Sequence, residues 1–553
     1  MTEYVTGRTA KLIDEYSIKE LGIPSLSLME KASEGVAIKV WEYSNMRLGK
    51  NGQRALKVVA CSGVGNNGAD GLCALSILKD MGFENLQAFY VGNIDKASEE
   101  FIFQRERLEK NGIGFSEFNG KLPDCDIIID AVFGIGLRRI VEGKHLELIK
   151  EINRLKRDIR SYIVSVDVSS GIDADNGINM CSPFDAVYSD VTVTFGYAKT
   201  GHVFGEGPRY TGKLKVVDIG YPEINQDLLR NYKKIQSNGA VQDFDSDCSI
   251  YRSSDYGMME VLPKLIKRDS LANKGNYKKL LIAAGSKGMA GAAYLSGLAA
   301  FKSGIGMVKY LGPEENRCIL QTLLPEAMYE SIEAADFVKQ LEKSVSWADS
   351  IILGPGLSQS EEACSIVKAF SDEKVKKAIK GKCFLIDADA LNIIAAHSEL
   401  EDVYNEDTII TPHVGEFARL TGLKVEDIKR DPFTAAAGYA VKHGISVVLK
   451  DNVSVIAIND KERSVVELYI NTEGAAALGK AGSGDVLTGA IQGILAVIAE
   501  GNDGIKDFRK HLMNAVCIFG KAGKICADKF KEHGSLARDV AEQLPYAMNI
   551  EKK

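Results

Sequence analysis

Short apolar runs, mostly β-branched and unbroken by polar alternation, recur along nearly the whole chain with longer helical patterns between them. A strand that does not alternate has no face to offer water, so helices must cover it on both sides. This requirement selects an α/β fold, with doubly wound three-layer αβα sheets. In the first half the expected strands are 56–61, 86–91, 126–133, 162–168, 191–195 and 214–219, with helices over 70–81 and 144–153. Two helices precede them. One covers 9–21 and stops at Gly22 with Pro24 beyond, and the next is expected to start on a capping box, Ser27-x-x-Glu30. The rhythm fails over 232–257, where Asn238-Gly239, 243–247 and 253–255 are polar. It restarts with 279–284, 350–353, 383–386, 408–410, 446–449, 453–458 and 465–470. Two doubly wound domains are therefore expected, 1–230 and 258–553, with a linker region at 231–257. No internal repeat relates them.

Several function classes are excluded early. The 553 residues carry a formal net charge of −7 and no long basic run, which argues against a nucleic-acid partner. The N-terminus lacks the charged-then-apolar pattern of a secretion signal. The apolar run 486–499 is too short to cross a bilayer and is interrupted by Thr488, Gly489, Gln492 and Gly493, so no membrane partner is expected. Ten cysteines are scattered without a C-x-x-C pair, and Cys61, Cys125 and Cys383 lie in or beside strand-like segments. They read as buried reduced thiols of a cytoplasmic protein. A homo-oligomer is the expected assembly.

Ligands of open α/β sheets bind outside the carboxyl ends of the strands. In the first half three such ends carry acids: Gly63-Val64-Gly65-Asn66-Asn67-Gly68-Ala69-Asp70, Asp130-Ala131-Val132-Phe133-Gly134-Ile135-Gly136-Leu137-Arg138, and Asp167-Val168-Ser169-Ser170-Gly171. Each piece alone is weak, because glycine-rich runs are common and Asp at a strand end is often turn chemistry. Three on neighbouring strands favour a site. These segments resemble the Rossmann-like NAD(P)H-hydrate epimerase domain of the YjeF family, over about residues 1–230. The resemblance implies a hydrated nicotinamide substrate and a potassium ion held by Asn67, Asp130 and Ser170. It implies substrate contacts from Asn66, Asn67, Gly68, Ala69 and Asp70, from Gly134, Ile135, Gly136, Leu137 and Arg138, and from Asp167. Asp167 is the expected acid/base at C6 of the ring.

The second half ends its strands on Gly285–Ala292, Leu353-Gly354-Pro355-Gly356-Leu357, Asp387-Ala388-Asp389-Ala390-Leu391 and Thr411-Pro412-His413-Val414-Gly415-Glu416, with Lys450 and Ala481-Gly482-Ser483-Gly484-Asp485 further on. Small residues at a strand-to-helix turn let backbone N–H groups approach an anion, and the helix N-terminus adds partial positive charge. An acid in that first turn can take a proton from a hydroxyl held beside a phosphate. The plain alternative, that Asp485 only starts a helix, is comparably common. His413 after Pro412 is as easily a surface turn residue.

The ordered set resembles the ribokinase-like ADP/ATP-dependent NAD(P)H-hydrate dehydratase domain, over about 250–553, and Asn273-Lys274-Gly275 is similar to its opening H-K-G. Together the halves resemble the bifunctional NAD(P)H-hydrate repair family. The resemblance implies ADP or ATP at Lys450, Asp451, Asn452, Val453 and Ser454 and at Gly482, Ser483 and Gly484. It implies Mg2+, the nicotinamide substrate NAD(P)HX against Ala292, Gly356 and His413, and Asp485 as the base. The expected activity is epimerisation of the hydrate followed by nucleotide-dependent dehydration. Two other readings stay open: a ribokinase-like kinase for a vitamin alcohol with a non-catalytic N-terminal domain, and an RNA-decapping scaffold.

Overall fold

The computed structural model describes residues 2–49, 55–224, 226–236, 249–256, 258, 261, 262, 265, 277–333, 336–460, 465–499 and 511–549. Its contacts divide the chain into two compact units, 2–251 and 252–553.

The N-terminal unit begins with β1 (Glu3–Val5), α1 (Gly7–Lys19) and α2 (Ser25–Leu48). Its main strands are β2 (Lys57–Ser62), β3 (Asn85–Tyr90), β4 (Gly114–Glu117), β5 (Ile127–Ala131), β6 (Tyr162–Val166) and β7 (Val191–Phe195). A two-residue strand, β8 (Ala198–Lys199), pairs with β1, and β9 (Lys213–Val217) completes the set. The seven-stranded parallel sheet runs β4-β3-β2-β5-β6-β7-β9. Successive residues of β2 show why it needs two covers. Val58 and Ala60 join the core beneath α2 and α3 (Asn66–Asp80), while Val59 and Cys61 join the core beneath α5 (Gly143–Asp158). Between them α4 (Glu99–Lys110) packs on α3.

The C-terminal unit orders its strands β13 (Met328–Ser331), β12 (Met307–Gly312), β11 (Lys279–Ala283), β14 (Ser350–Leu353), β15 (Cys383–Ile386), β16 (Thr408–Ile410) and β17 (Ser446–Leu449), all parallel. The antiparallel strands β18 (Ser454–Asp460) and β19 (Val465–Asn471) follow, and β19 takes up Arg252 and Ser253 of β10 (Ile250–Ser253). One face is covered by the helices Ala290–Lys302, Ser483–Ala499 and Leu512–Gly534.

The structure corrects the reading of 27–30. α2 starts at Ser25 behind Pro24, whose fixed φ of −62° opens the turn, and no side chain caps it. Glu30 pairs instead with Arg107 of α4. Strands β1, β4, β8, β10, β12 and β13 were not expected. β12 carries Lys309 inside it, and β13 is a half-exposed edge, so neither reads as a buried run. The 231–257 stretch holds structure too, because Leu229 and Tyr232 turn inward on the helix Gln226–Gln236. Asn238-Gly239, 243–247 and Asn273-Lys274-Gly275 lie outside the described residues.

The helices Ala290–Lys302 and Ser483–Ala499 meet closely because Gly489 has no side chain. A Cβ there would lie 2.0 Å from Ser296 O. Gly489→Val is expected to cost at least about 2 kcal/mol of stability through overpacking, read as a lower urea midpoint than wild type.

Candidate active sites

In the N-terminal unit the winding switches between β2 and β5, and a cavity of about 680 Å³ opens at their carboxyl ends. The turn after β2 enters α3 through Gly65. Gly68 has no substitute, since a Cβ there would lie 1.9 Å from Gly63 O. Asn66, Asn67, Gly68 and Asp70 border the cavity, while Ala69 is buried in the core. Gly134, Ile135, Gly136 and Leu137 border it after β5. Arg138 is not among the bordering residues. Its guanidinium pairs with Asp173 Oδ1 at 3.3 Å and Asp175 Oδ2 at 3.1 Å, and Asp175 also accepts from Gly7 N at 2.6 Å. Arg138 thus ties the loop after β5 to the start of α1.

Asp167 ends β6 with φ +65°, a left-handed conformation that a non-glycine residue adopts only under constraint. The constraint is visible. Lys199 Nζ lies 2.6 Å from Asp167 Oδ1, Thr194 Oγ1 donates to the same oxygen at 2.8 Å, and Lys199 also donates to Thr194 Oγ1 and Phe195 O. His202 Nδ1 accepts from Lys199 N, leaving Nε2 to donate to Asp167 O at 2.9 Å. Burial pushes the His202 imidazole down to about 4, so it is neutral near pH 7. From the far side come Asp14 of α1 and Tyr221 after β9. Burial pushes Asp14 up, and it pushes Asp70 well up, with the like charge of Asp167 adding in both cases.

Asp130, at the end of β5, is fully buried. Its Oδ2 accepts from Ser165 Oγ at 2.7 Å and Ser170 N at 2.9 Å, whereas Oδ1 has no hydrogen-bond partner. Ser170 Oγ accepts from Phe133 N, and Asn67 Nδ2 is likewise buried without a partner. A Cβ on Gly134 would come 2.7 Å from Asn67 Oδ1. The strand-end motifs did not reveal Lys199, Thr194, Asp14 or Tyr221. The available signal for Lys199 was a lysine inside the otherwise uncharged stretch 191–205.

In the C-terminal unit a cavity of about 530 Å³ is bordered by Lys450, Asp451, Asn452 and Ser454 from the turn between β17 and β18, by 474–476, and by Ser483 and Gly484. The Val453 side chain is buried. Gly482, at φ +91°, turns the chain into the helix Ser483–Ala499, and Ser483 Oγ is buried without a partner. Asp485 sits in that helix's first turn, its backbone oxygen held by Ser296 Oγ at 3.0 Å and Thr488 Oγ1 at 2.7 Å. Burial and the neighbouring Asp387 push its carboxyl up to about 7, against the pull of Lys450. Lys450 Nζ pairs with Asp387 Oδ1 at 3.0 Å. Both groups border Gly484, where a Cβ would be 3.5 Å from Lys450 Nζ and 3.8 Å from Asp387 Oδ2.

Ala292 and Gly356 face each other, since a Cβ on Gly356 would come 2.9 Å from Ala292 Cβ. His413 is exposed and caps the helix Val414–Thr421. Its Nδ1 accepts from Gly415 N and Glu416 N, and Glu416 Oε2 returns to His413 N at 2.9 Å. A backbone bridge joins His413 to Lys450. Among the described residues no three His, Cys, Asp or Glu form a metal-holding group, and no helix is long and apolar enough to cross a membrane.

These features define a two-domain α/β protein with small-molecule chemistry at the strand ends of each sheet. A family model described as YjeF-related protein N-terminus matches residues 25–201, and one described as NAD(P)H-hydrate dehydratase matches 280–546. A bifunctional NAD(P)H-hydrate repair enzyme Nnr of Thermofilum pendens is 31% identical over 97% of this chain and 94% of its own. The enzyme of the same description from Escherichia coli is 30% identical over 89% of this chain and 85% of its own. A solved ADP/ATP-dependent NAD(P)H-hydrate dehydratase from Bacillus subtilis, co-crystallised with ATP/Mg2+, is 30% identical, covers 52% of this chain and 95% of its own, and has a TM-score of 0.42. The chain belongs to the bifunctional NAD(P)H-hydrate repair enzyme family.

Lys199→Met strands a buried carboxylate. It is expected to destabilise the N-terminal unit by about 3–5 kcal/mol, and adding Asp167→Asn should recover at least half, both read by urea unfolding. Asp485 gives the opposite sign. Its folded value of about 7 exceeds the ordinary 3.8, so ionisation costs stability as pH rises from about 4 to 7. Asp485→Asn should therefore be more stable than wild type at pH 8 and equal to it near pH 3.5, checked by denaturant melts at both values.

Proposed function

We propose that this chain repairs hydrated nicotinamide coenzymes. The N-terminal unit interconverts (6R)- and (6S)-NAD(P)HX, and the C-terminal unit dehydrates the (6S) form to NAD(P)H with ADP or ATP as co-substrate. One observation carries the dehydratase reading. Asp485 is a carboxylate raised to about 7, at a helix start that borders a cavity already furnished with Lys450. A base titrating near the working pH is the efficient one.

The proposed reaction runs in two steps. Asp485 takes the proton of the 6-hydroxyl, and that oxygen attacks the terminal phosphoryl, releasing AMP from ADP or ADP from ATP. N–H groups over Gly482–Gly484 and the Lys450 ammonium stabilise the charge that develops on the phosphoryl oxygens. Phosphate is a better leaving group than hydroxide. The C6–O bond then breaks, phosphate departs, the C5 proton leaves, and the 5,6 double bond is restored. Asp387, a hard-oxygen donor beside Asp485, would hold a Mg2+ ion, which would supply further charge neutralisation at the phosphates.

In the N-terminal unit a potassium ion fits the donor set. Asp130 Oδ1 is a buried oxygen without a hydrogen-bond partner among the described residues, and Ser170 lies against the same carboxylate, its N–H donating to Oδ2. Asn67, Asp130 and Ser170 would hold the ion, which would offset the Asp130 charge and order both substrate loops. The nine free cysteines among the described residues support a reducing compartment such as the cytoplasm. The homo-oligomer is tested by mass in solution.

The test uses a racemic NADH hydrate with ADP and Mg2+, followed by absorbance of reduced nicotinamide. Wild type is expected to convert both epimers completely, while Asp167→Ala stalls near half conversion. Asp485→Asn should lose dehydration by at least about 100-fold and still bind nucleotide. The wild-type rate should rise through about pH 7 as Asp485 ionises. A phosphorylated coenzyme that accumulates would identify a kinase instead.

A further inference from the structure

The motifs leave one pair in the N-terminal cavity unexplained. Asp14 and Tyr221 both border it, and both lie outside the matched residues 25–201. Tyr221 Oη donates to Asp14 Oδ1 at 3.3 Å. Three aspartates border this cavity, Asp14, Asp70 and Asp167, and its one buried ammonium belongs to Asp167. Inverting a C6 hydroxyl requires a proton given to the departing oxygen and a proton taken from the arriving water. Two carboxyl groups in contrasting surroundings can divide these tasks.

We infer that Asp14, oriented by Tyr221, is the acid of the epimerase site and works with Asp167 as the base. The inference rests on the epimerase reading above. The Asp14 carboxylic acid gives its proton to the 6-hydroxyl of the (6R) hydrate. The C6–O bond breaks, water departs, and the N1 lone pair forms an N1=C6 double bond. A solvent water adds to C6 from the other face, the π pair returns to N1, and the proton of that water passes to Asp167. Water in the cavity returns the proton from Asp167 to Asp14, so atoms and charge balance over one cycle.

The surroundings support this division. Burial pushes the Asp14 carboxyl up from its ordinary value, with Asp167 and Glu15 adding, while Tyr221 and Lys199 oppose it. Lys11, one turn away on α1, pairs with Glu15 at 3.8 Å. The helix Gln226–Gln236, packed on α1, meets it through an edge contact of Tyr232 on Tyr16. Among the described residues the only side-chain hydrogen bond to Asp70 is from Ser33 Oγ to its backbone oxygen, so it serves as the comparator rather than the oriented acid.

The experiment omits nucleotide and follows conversion of the pure (6R) hydrate by chromatography of the epimers between pH 5 and 9. Asp14→Asn is expected to slow epimerisation at least about 100-fold, keep the dissociation constant of the hydrate within about threefold, and lose the alkaline fall in rate. Tyr221→Phe should lower the rate and move that fall to higher pH, because the hydroxyl stabilises the ionised carboxylate. Asp14→Glu should recover part of the rate, with thermal melts confirming that each variant folds. An Asp14→Asn chain that epimerises at the wild-type rate, keeps the alkaline fall, or loses binding in step with rate overturns the assignment, as does an Asp70→Asn chain that alone removes the fall. A wild-type chain that leaves the (6R) form unchanged overturns the epimerase reading itself.

Discussion

Each unit gathers several carboxylates around the ends of its parallel strands and pairs one of them with a lysine. In the N-terminal unit Lys199 takes Asp167, and Asp14 and Asp70 are left to share a poorly solvated cavity. In the C-terminal unit Lys450 takes Asp387, and Asp485 is left beside both. The consequence is the same in each. One carboxylate pairs with an ammonium at 2.6–3.0 Å, and the neighbours without one are pushed up by burial and by the charge beside them. The sheet makes this possible, because parallel strands deliver their carboxyl ends to one edge and the helix N-termini point there. Acids that would repel one another on a surface become a graded series of proton affinities.

Holding such a series costs conformational energy, and the backbone shows where. Asp167 and Ala388 both have positive φ without being glycine, and both sit at strand ends beside the paired lysines. Elsewhere the close approaches fall on glycine. Gly68 touches the Gly63 carbonyl, and Gly482 turns the chain into the Asp485 helix. The strain at Asp167 is opposed by hydrogen bonds to its carboxylate from Lys199 and Thr194 and to its backbone oxygen from His202. Removing a partner therefore loosens the acid's position as well as its charge.

Most of this frame can be read from the chain itself. Strands buried on both faces, such as β7, β14, β15, β16 and β17, fall on the residues their unalternated runs indicate. β12 escapes notice because Lys309 stands inside it, its charge met by Glu330 of β13 at 3.2 Å, an interaction no local pattern displays. The same limit governs the sites. Residues in the strand-end turns announce themselves by glycine and acid spacing. Asp14, Lys199 and Tyr221 belong to elements far apart in sequence, and only the assembled fold brings them to one cavity. Arg138 shows the converse. It lies in a legible motif, yet its guanidinium serves Asp173 and Asp175 rather than the cavity border.

The two cavities also differ in a way that matches their chemistry. Phosphoryl transfer needs a base that can lose its proton near neutrality and backbone donors fixed around an anion, and under the mechanism proposed above the C-terminal helix start would supply both at adjacent residues. Inversion at carbon needs proton donation and acceptance within one small cavity, so one helix-start carboxylate would not serve. Asp167 paired with Lys199 and Asp14 bonded to a tyrosine hydroxyl are two environments built from different helices and loops. That division explains why the N-terminal cavity draws residues from α1 and from the segment after β9, beyond the span of its motifs.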